Sequence, residues 1–274
     1  MKLRSNLTAL IGKYYTFSKR QEFVGATLVL TTALIATQLF FETLRFDVML
    51  LLGILAYVLS AFCLREELYS WKLITVLTLP AFYTAAVFLF YFLLPTRWLT
   101  RLPIALLYAV GMYAILLTEN IYKVAAGRTI QLIRAAHSVG FLLSLLTIFF
   151  LMDTALSLHL PFYTNSVITA IIIFPLSLQA LWSMELTDTI TTNVWIATGV
   201  ITGLVTQLVF VFSFWPIRTT IEALFVTTAF YSLVGMTQQF LIGRLFKNTY
   251  REFLLVLIIV FVLVIVTTRW GAGV

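Results

Sequence analysis

Residues 194–214 read VWIATGVITGLVTQLVFVFSF, a run without a single charged side chain. A helix that crosses the hydrocarbon core of a bilayer needs about 20 predominantly apolar residues, so this run predicts a transmembrane helix. The whole chain has the same character. Of its 274 residues, 61% are hydrophobic and 11% are charged, whereas a soluble domain carries about 25% charged residues. Lipid is therefore the predicted solvent of this protein.

Nine runs of this kind follow one another along the chain. Their approximate bounds are 23–41, 46–64, 73–94, 102–118, 139–158, 162–184, 194–214, 223–242 and 253–268. Together they predict an all-α fold, a polytopic integral membrane helix bundle with about nine transmembrane helices. A bundle of eight helices, without the short fifth run, is the alternative.

The sequence predicts one transmembrane domain preceded by a short N-terminal segment. Residues 23–274 form a single transmembrane helical domain, and residues 1–22 form a cytoplasmic amphipathic N-terminal segment. In that segment Leu3, Leu7 and Leu10 recur at helical spacing with basic residues between them, which is typical of a helix lying on the inner leaflet. A loose basic tail is the alternative for residues 1–22.

The distribution of basic residues predicts the orientation, because cytoplasmic loops carry an excess of Lys and Arg. With a cytoplasmic N-terminus and an external C-terminus, thirteen basic residues fall inside and five fall outside. The five outer residues are Arg45, Arg97, Arg101, Arg218 and Arg269. All six tryptophans then fall at helix ends, where the membrane interface favours them. A multi-pass protein of the cell (plasma) membrane is the expected location.

Several kinds of chemistry are excluded by composition and motifs. One Cys and two His are too few for a disulfide or a His-rich metal site. The chain contains no glycine-rich nucleotide-binding motif, and we predict no cofactor. The net charge of +7 is spread over a membrane face, so we expect the lipid bilayer and anionic headgroups on the cytoplasmic face as partners, and no nucleic acid. A membrane or cytoplasmic protein partner stays open.

The stretch TGVITGLVTQ, residues 198–207, carries a stripe of small and polar side chains inside a hydrophobic run. The stripe consists of Thr198, Gly199, Thr202, Gly203, Thr206 and Gln207. Residues four apart lie on one helix face, and a GxxxG pair allows close approach of another helix. We predict that each Thr hydroxyl bonds to the carbonyl one turn back.

The next helix has a matching stripe, which consists of Thr228, Ser232, Gly235 and Gln239. Because the connection between the two helices is short, they are predicted to pack as antiparallel neighbours. Counting from the outer turn places Gln207 opposite Tyr231, with Gly235 and Gln239 opposite the threonines. We interpret the two stripes as a helix seam; a substrate path is the alternative.

Charged residues are missing from the centres of the predicted helices. Proton-coupled pumps place acids, lysines or histidines there, so a proton relay is not expected. A path for a neutral substrate is compatible with the Thr, Ser, Tyr, Asn and Gln that remain.

The inner connections contain the remaining candidates. Residues 119–137 are predicted to form two short interfacial helices broken at Gly127, with Lys123, Arg128 and Arg134 contacting phosphate or anionic lipid. Glu185 and Asp188, three residues apart, are a candidate metal pair; solvated acids that balance the basic loops are the simpler interpretation.

On the outer side Asp153 lies one or two turns inside the end of the fifth run. A semi-buried acid is a candidate site. We expect an interfacial salt bridge with His159 or with one of the outer arginines.

Three classes of function follow. The first is a non-catalytic membrane subunit or scaffold, favoured because no chemical constellation is present. The second is a carrier or channel for a neutral or lipid-like substrate through the seam at residues 198–207. The third is a membrane-surface phospholipid or prenyl-lipid enzyme that uses Glu185 and Asp188. We rank the three in that order, so the protein is not expected to be an enzyme.

Overall fold

The computed structural model describes residues 18–40, 45–65, 71–93, 98–123, 130–187 and 189–268. Within these ranges the chain forms nine α-helices and no β-strand. They are α1 (Lys19–Phe40), α2 (Arg45–Cys63), α3 (Trp71–Leu93), α4 (Trp98–Lys123), α5 (Ile130–Ser157), α6 (Phe162–Glu185), α7 (Thr192–Phe212), α8 (Thr219–Leu241) and α9 (Lys247–Thr267). The predicted all-α bundle is confirmed.

Seven of these helices, α3 to α9, are long and apolar enough to cross a membrane. The described part of α2 contributes a shorter apolar stretch, Asp47–Cys63. The described part of α1 begins with the charged residues Lys19, Arg20 and Glu22. A multi-pass helical membrane protein is therefore supported directly by seven helices, while membrane passage of α1 and α2 stays a prediction.

The helices extend beyond the apolar runs that predicted them. Residues 19–22, assigned to the N-terminal segment, form the first turn of α1; residues 1–17 lie outside the described residues. The two short interfacial helices predicted over 119–137 are not separate helices, because their described residues belong to α4 and α5. Helix α4 continues to Lys123 and α5 begins at Ile130, and Gly127 lies outside the described residues. A helix satisfies its own backbone, so it continues wherever its side chains find partners in the bundle.

Helix α5 lies at the centre of the bundle and α9 lies at its edge. Contacts join α5 to α3, α4, α6 and α8, whereas the main neighbour of α9 is α8. Between Lys247 and Thr267 only Val264 is buried. A helix so apolar and so little covered by the described protein exposes its surface to lipid.

Short turns at one end of the bundle bring four helices together. Leu186 adopts a left-handed conformation (φ 49°) after α6, and the Thr191 side chain accepts a hydrogen bond from the Val194 amide at the start of α7. Gly243, at φ 67°, ends the turn after α8, where a residue with a Cβ atom is strained. These turns join α6 to α7 and α8 to α9, and at the same end of the bundle residues of α5, α6, α8 and α9 line one groove.

Candidate functional site

The glycine stripe of α7 points away from its neighbours. A Cβ atom added to Gly199 or Gly203 meets no heavy atom within 4 Å, and both glycines are exposed. The prediction that they allow close approach of another helix is wrong. Successive residues lie about 100° apart around a helix, so the glycine and threonine stripes cannot both face one neighbour. Helix α7 also packs more extensively against α6 than against α8.

The threonine stripe of α7 points into the bundle. Thr198 is 0% exposed and Thr202 is 8% exposed, and Thr206 is half-buried. The hydroxyl oxygens of all three are buried without a hydrogen-bond partner. The predicted bonds to the carbonyl one turn back are therefore wrong here, although Thr147 of α5 makes such a bond to Leu143 at 2.7 Å.

The α8 residues that were predicted to face α7 face other helices. A Cβ atom on Gly235 would collide with the ring of Phe253 of α9. Tyr231 stacks on Phe141 of α5, with ring centroids 5.8 Å apart, and Gln239 lines a groove that includes α5 and α9. The predicted register between the α7 and α8 stripes is wrong because α8 uses this face to pack against α5 and α9.

Gln207 lies in a separate, apolar groove between α7, α8 and α9. The groove measures about 600 Å³ and includes Leu204, Leu233 and Leu257. Gln207 is the one polar side chain among its described lining residues. The side-chain amide of Gln207 is therefore the one group in the described lining that could bind a polar substrate.

A different groove combines positive charge with aromatic walls. It measures about 380 Å³ and lies between the ends of α5, α6, α8 and α9 that are predicted to be on the inner side. We name it the basic groove. Its described lining residues are Arg134, His137, Ser138, Phe141, Met184, Tyr231, Gly235, Gln238, Gln239, Ile242, Arg244 and Phe253. Arg134 and Arg244 are exposed at its mouth, and no carboxylate is among these lining residues.

Two side chains of the basic groove are held by carbonyl groups of α6. The Nε2 atom of His137 lies 2.8 Å from the Ser183 carbonyl oxygen, and Gln238 donates to the Ala180 carbonyl at 2.9 Å. Gln238 is 4% exposed. The floor of the groove is therefore held in place by α6, while its two arginines are exposed.

A buried acid next to the groove was missed by the sequence prediction. Glu119 of α4 is 0% exposed, and Gln179 of α6 is 3% exposed. Gln179 lies within hydrogen-bond distance, with its Nε2 atom 2.5 Å from Glu119 Oε1. Glu119 was assigned to the connection over 119–137, and its burial inside α4 corrects that assignment. The apolar residues Ile115 and Tyr122, on the same side of α4, were the signal that the helix continues past the apolar run.

A small cavity beside Gln179 adjoins the basic groove. It measures about 10 Å³ and is lined by residues that include Tyr122, Ser144, Gln179 and Ser183. Phe141 and Gln238 line both the cavity and the basic groove. Polar groups thus continue from the groove into the interior of the bundle.

The predicted inner-face contacts are only partly described. Arg134 lines the basic groove, whereas Arg128, Asp188 and the side chain of Lys123 lie outside the described residues. Glu185 accepts a hydrogen bond from the Thr191 hydroxyl at 2.9 Å. This bond ties the end of α6 to the start of α7, which is a structural role for Glu185.

The outer acid Asp153 does not form the expected salt bridge with His159, Arg101 or Arg218. Asp153 is 6% exposed, and its Oδ1 atom is buried without a hydrogen-bond partner. His159 is turned away because its Nδ1 atom lies 2.9 Å from the Ser157 carbonyl oxygen. The Arg101 guanidinium lies over the Tyr91 ring instead, and Arg97 lies outside the described residues.

A second acid at the outer end, Glu222, also departs from expectation. It was assigned to a connection, but it lies in the first turn of α8 and is 7% exposed. Its Oε1 atom is buried without a hydrogen-bond partner among the described residues. Among the described residues, no three His, Cys, Asp or Glu side chains gather into a group that could hold a metal ion.

The fold and these sites define a class: a multi-pass helical membrane protein with a basic, aromatic groove at one end of its bundle. No protein-family model, curated protein or solved structure matches the chain.

Proposed function

We propose that the protein is a non-catalytic membrane subunit that binds a phosphate-bearing lipid in the basic groove. The observation that carries this proposal is the pairing of Arg134 and Arg244 at the mouth with three aromatic rings behind them. A lipid with an anionic headgroup has the same division into a charged end and an apolar body.

The two arginines suit a phosphate group for a geometric reason. A guanidinium donates two parallel hydrogen bonds to phosphate oxygens, which a lysine cannot do. The basic groove has no described carboxylate that would compete for the arginines. Basic residues near a cytoplasmic leaflet also gain about 1 kcal/mol each from the anionic surface.

The aromatic walls suit the apolar part of the lipid. Tyr231 lies between Phe141 and Phe253, with ring centroids 5.8 Å and 5.1 Å away. Rings packed in this way hold one another in place and offer a large apolar surface at little entropic cost. Ligand binding therefore requires little rearrangement of the walls.

Lipid-dependent thermal stability tests the proposal. Purified protein in detergent is heated with phosphatidylglycerol, with phosphatidylcholine or with inorganic phosphate. Phosphatidylglycerol is expected to raise the melting temperature most, because it supplies both the phosphate and the acyl chains. The double variant Arg134→Gln/Arg244→Gln should bind about tenfold more weakly for each arginine lost.

The matched control is Arg218→Gln, which removes an exposed arginine at the N-cap of α8, the opposite end of that helix. This variant should respond to phosphatidylglycerol as the parent does. An equal response to both lipids, or an unchanged response in the double variant, contradicts the proposal. If inorganic phosphate alone raises the melting temperature, the ligand of the basic groove is a soluble phosphate compound and not a lipid.

A carrier for the same lipid is the second candidate, favoured by the polar groups that continue from the basic groove to the cavity beside Gln179. Its test is the transbilayer movement of a fluorescent anionic lipid in proteoliposomes. Movement that is faster than in protein-free vesicles and slower in the Arg134→Gln variant supports the carrier. Equal rates in all three samples leave the non-catalytic subunit as the function.

A further inference from the structure

Glu119 is a carboxyl group placed where water does not reach. It is fully buried inside a helix whose stretch Arg101–Tyr122 is apolar enough to cross a membrane. Among the described residues, its Oε2 atom has no hydrogen-bond partner, and neither does the Oε1 atom of Gln179 beside it. Two unpaired acceptors side by side require a donor or a proton, because an unpaired buried anion is far more costly than a neutral acid.

The described surroundings of Glu119 supply no cation. Tyr122, a titratable side chain one turn further along the same helix, has its ring tilted against that of His137 of α5, with centroids 5.4 Å apart. On α1, Lys19 is 3.4 Å from Glu22 and forms its ion pair there. The contact that Glu119 makes on α6 is the neutral amide of Gln179.

The separation of the two side chains favours a proton between two oxygens. The atoms that face each other are 2.5 Å apart, which is shorter than the usual N–H···O range of about 2.7–3.2 Å and within the O–H···O range of about 2.5–3.0 Å. The two ends of a glutamine amide are interchangeable in shape and are assigned from their partners. With its amide reversed, Gln179 presents its oxygen to Glu119.

From these contacts we propose that Glu119 is a proton-binding site inside the bundle, a neutral carboxylic acid that donates its hydrogen bond to the side-chain oxygen of Gln179. The Gln179 amide nitrogen then points away from Glu119 and needs an acceptor. The neighbouring cavity of about 10 Å³ is at the lower limit for a single water molecule. Tyr122, Ser144 and Ser183 also line this cavity, so one water there has several polar partners. This proposal does not depend on lipid binding in the basic groove.

Infrared difference spectroscopy tests the proposal directly. The spectrum of the parent protein minus that of Glu119→Gln, recorded in lipid at neutral pH, should contain the C=O stretching band of a carboxylic acid. The band should move to lower wavenumber in D₂O. In Gln179→Met, which removes the acceptor, the same band should move to higher wavenumber because the hydrogen bond is lost.

The matched control is Glu185→Gln, since Glu185 is only half-buried and accepts a bond from Thr191. Its difference spectrum should lack the C=O stretching band expected for Glu119. Carboxylate bands in the Glu119→Gln difference spectrum would overturn the proposal. An acid band that arises only after Lys123→Gln would also overturn it, because Glu119 would then be an anion paired with Lys123.

Glu119→Gln replaces a neutral acid by an amide of the same shape, so the variant should fold and melt close to the parent. A variant too unstable to purify would indicate that a negative charge is needed at this position and would count against the proposal.

Discussion

Gly235 of α8 lies directly under the ring of Phe253 of α9, so close that a Cβ atom would overlap the ring. The next contacts of Phe253 are made by Tyr231, and Ser232 donates a hydrogen bond to the Phe253 carbonyl at 3.2 Å. The absence of a side chain at position 235 is therefore what allows α9, an otherwise exposed helix, to pack against the bundle.

The first prediction compares two glycine substitutions. Gly235→Leu should lower the free energy of unfolding in detergent by about 1–3 kcal/mol, the usual cost of overpacking. Gly203→Leu should leave it nearly unchanged, because position 203 faces open space. Thermal unfolding of the two variants checks this. A larger loss of stability in Gly203→Leu than in Gly235→Leu would show that a protein segment outside the described contacts packs against α7.

The second prediction concerns Gly111 of α4. A Cβ atom there would collide with the Tyr83 hydroxyl, which donates to the Leu107 carbonyl at 3.0 Å. Gly111→Ala should destabilise the protein by about 1–3 kcal/mol, because it breaks this bond and leaves a buried hydroxyl unpaired.

The control for that substitution is Gly53→Ala, at a position where a Cβ atom meets nothing within 4 Å. Alanine is favoured over glycine inside a helix by about 1 kcal/mol, so Gly53→Ala should be neutral or stabilising in the same thermal assay. If both substitutions change the stability equally, Tyr83 is not in close contact with α4 at Gly111.

The third prediction separates unpaired from paired hydroxyls. Thr198 and Thr147 are both 0% exposed, but only Thr147 bonds to a carbonyl. Thr198→Val should be neutral or stabilising, since it removes an unpaired buried polar group. Thr147→Val should cost about 0.5–1.5 kcal/mol, the net contribution of a typical hydrogen bond. If chemical denaturation shows the same loss of stability for both variants, the Thr198 hydroxyl has a hydrogen-bond partner in the membrane-embedded protein.

The fourth prediction tests the orientation in the membrane. Leu158 and Thr189 are exposed and lie in turns at opposite ends of α6. In a background in which Cys63 is replaced by Ala, a membrane-impermeant thiol reagent added outside intact cells should label Leu158→Cys. Thr189→Cys should react only after the membrane is permeabilised. The reverse pattern would place the N-terminus outside and would contradict the excess of basic residues at the predicted inner ends.

The length of the apolar runs was enough to predict the helices of this protein. In lipid every backbone amide and carbonyl must be satisfied within the chain, so a long apolar run has almost no alternative to a helix. The predicted run 162–184 corresponds to α6, Phe162–Glu185. The helix ends were predicted less well where a helix outlasts its apolar run, as α4 does beyond residue 118.

The tertiary structure alone decided which face of each helix meets which neighbour. In a soluble protein the apolar face of a helix indicates the core, but in a bilayer the lipid-facing and protein-facing sides are both apolar. The stripe in residues 198–207 was therefore visible in the sequence, while its division into buried threonines and exposed glycines was not.

The burial of Glu119 was also decided by the tertiary structure. The sequence determined that an acid follows the apolar run of α4, and it is equally compatible with a solvated loop. Only the approach of α6, which brings Gln179 to Glu119, places that acid inside the bundle. The physical reason is that the environment of a charge depends on the neighbours that surround it in space, and those neighbours come from segments 60 residues apart in the chain.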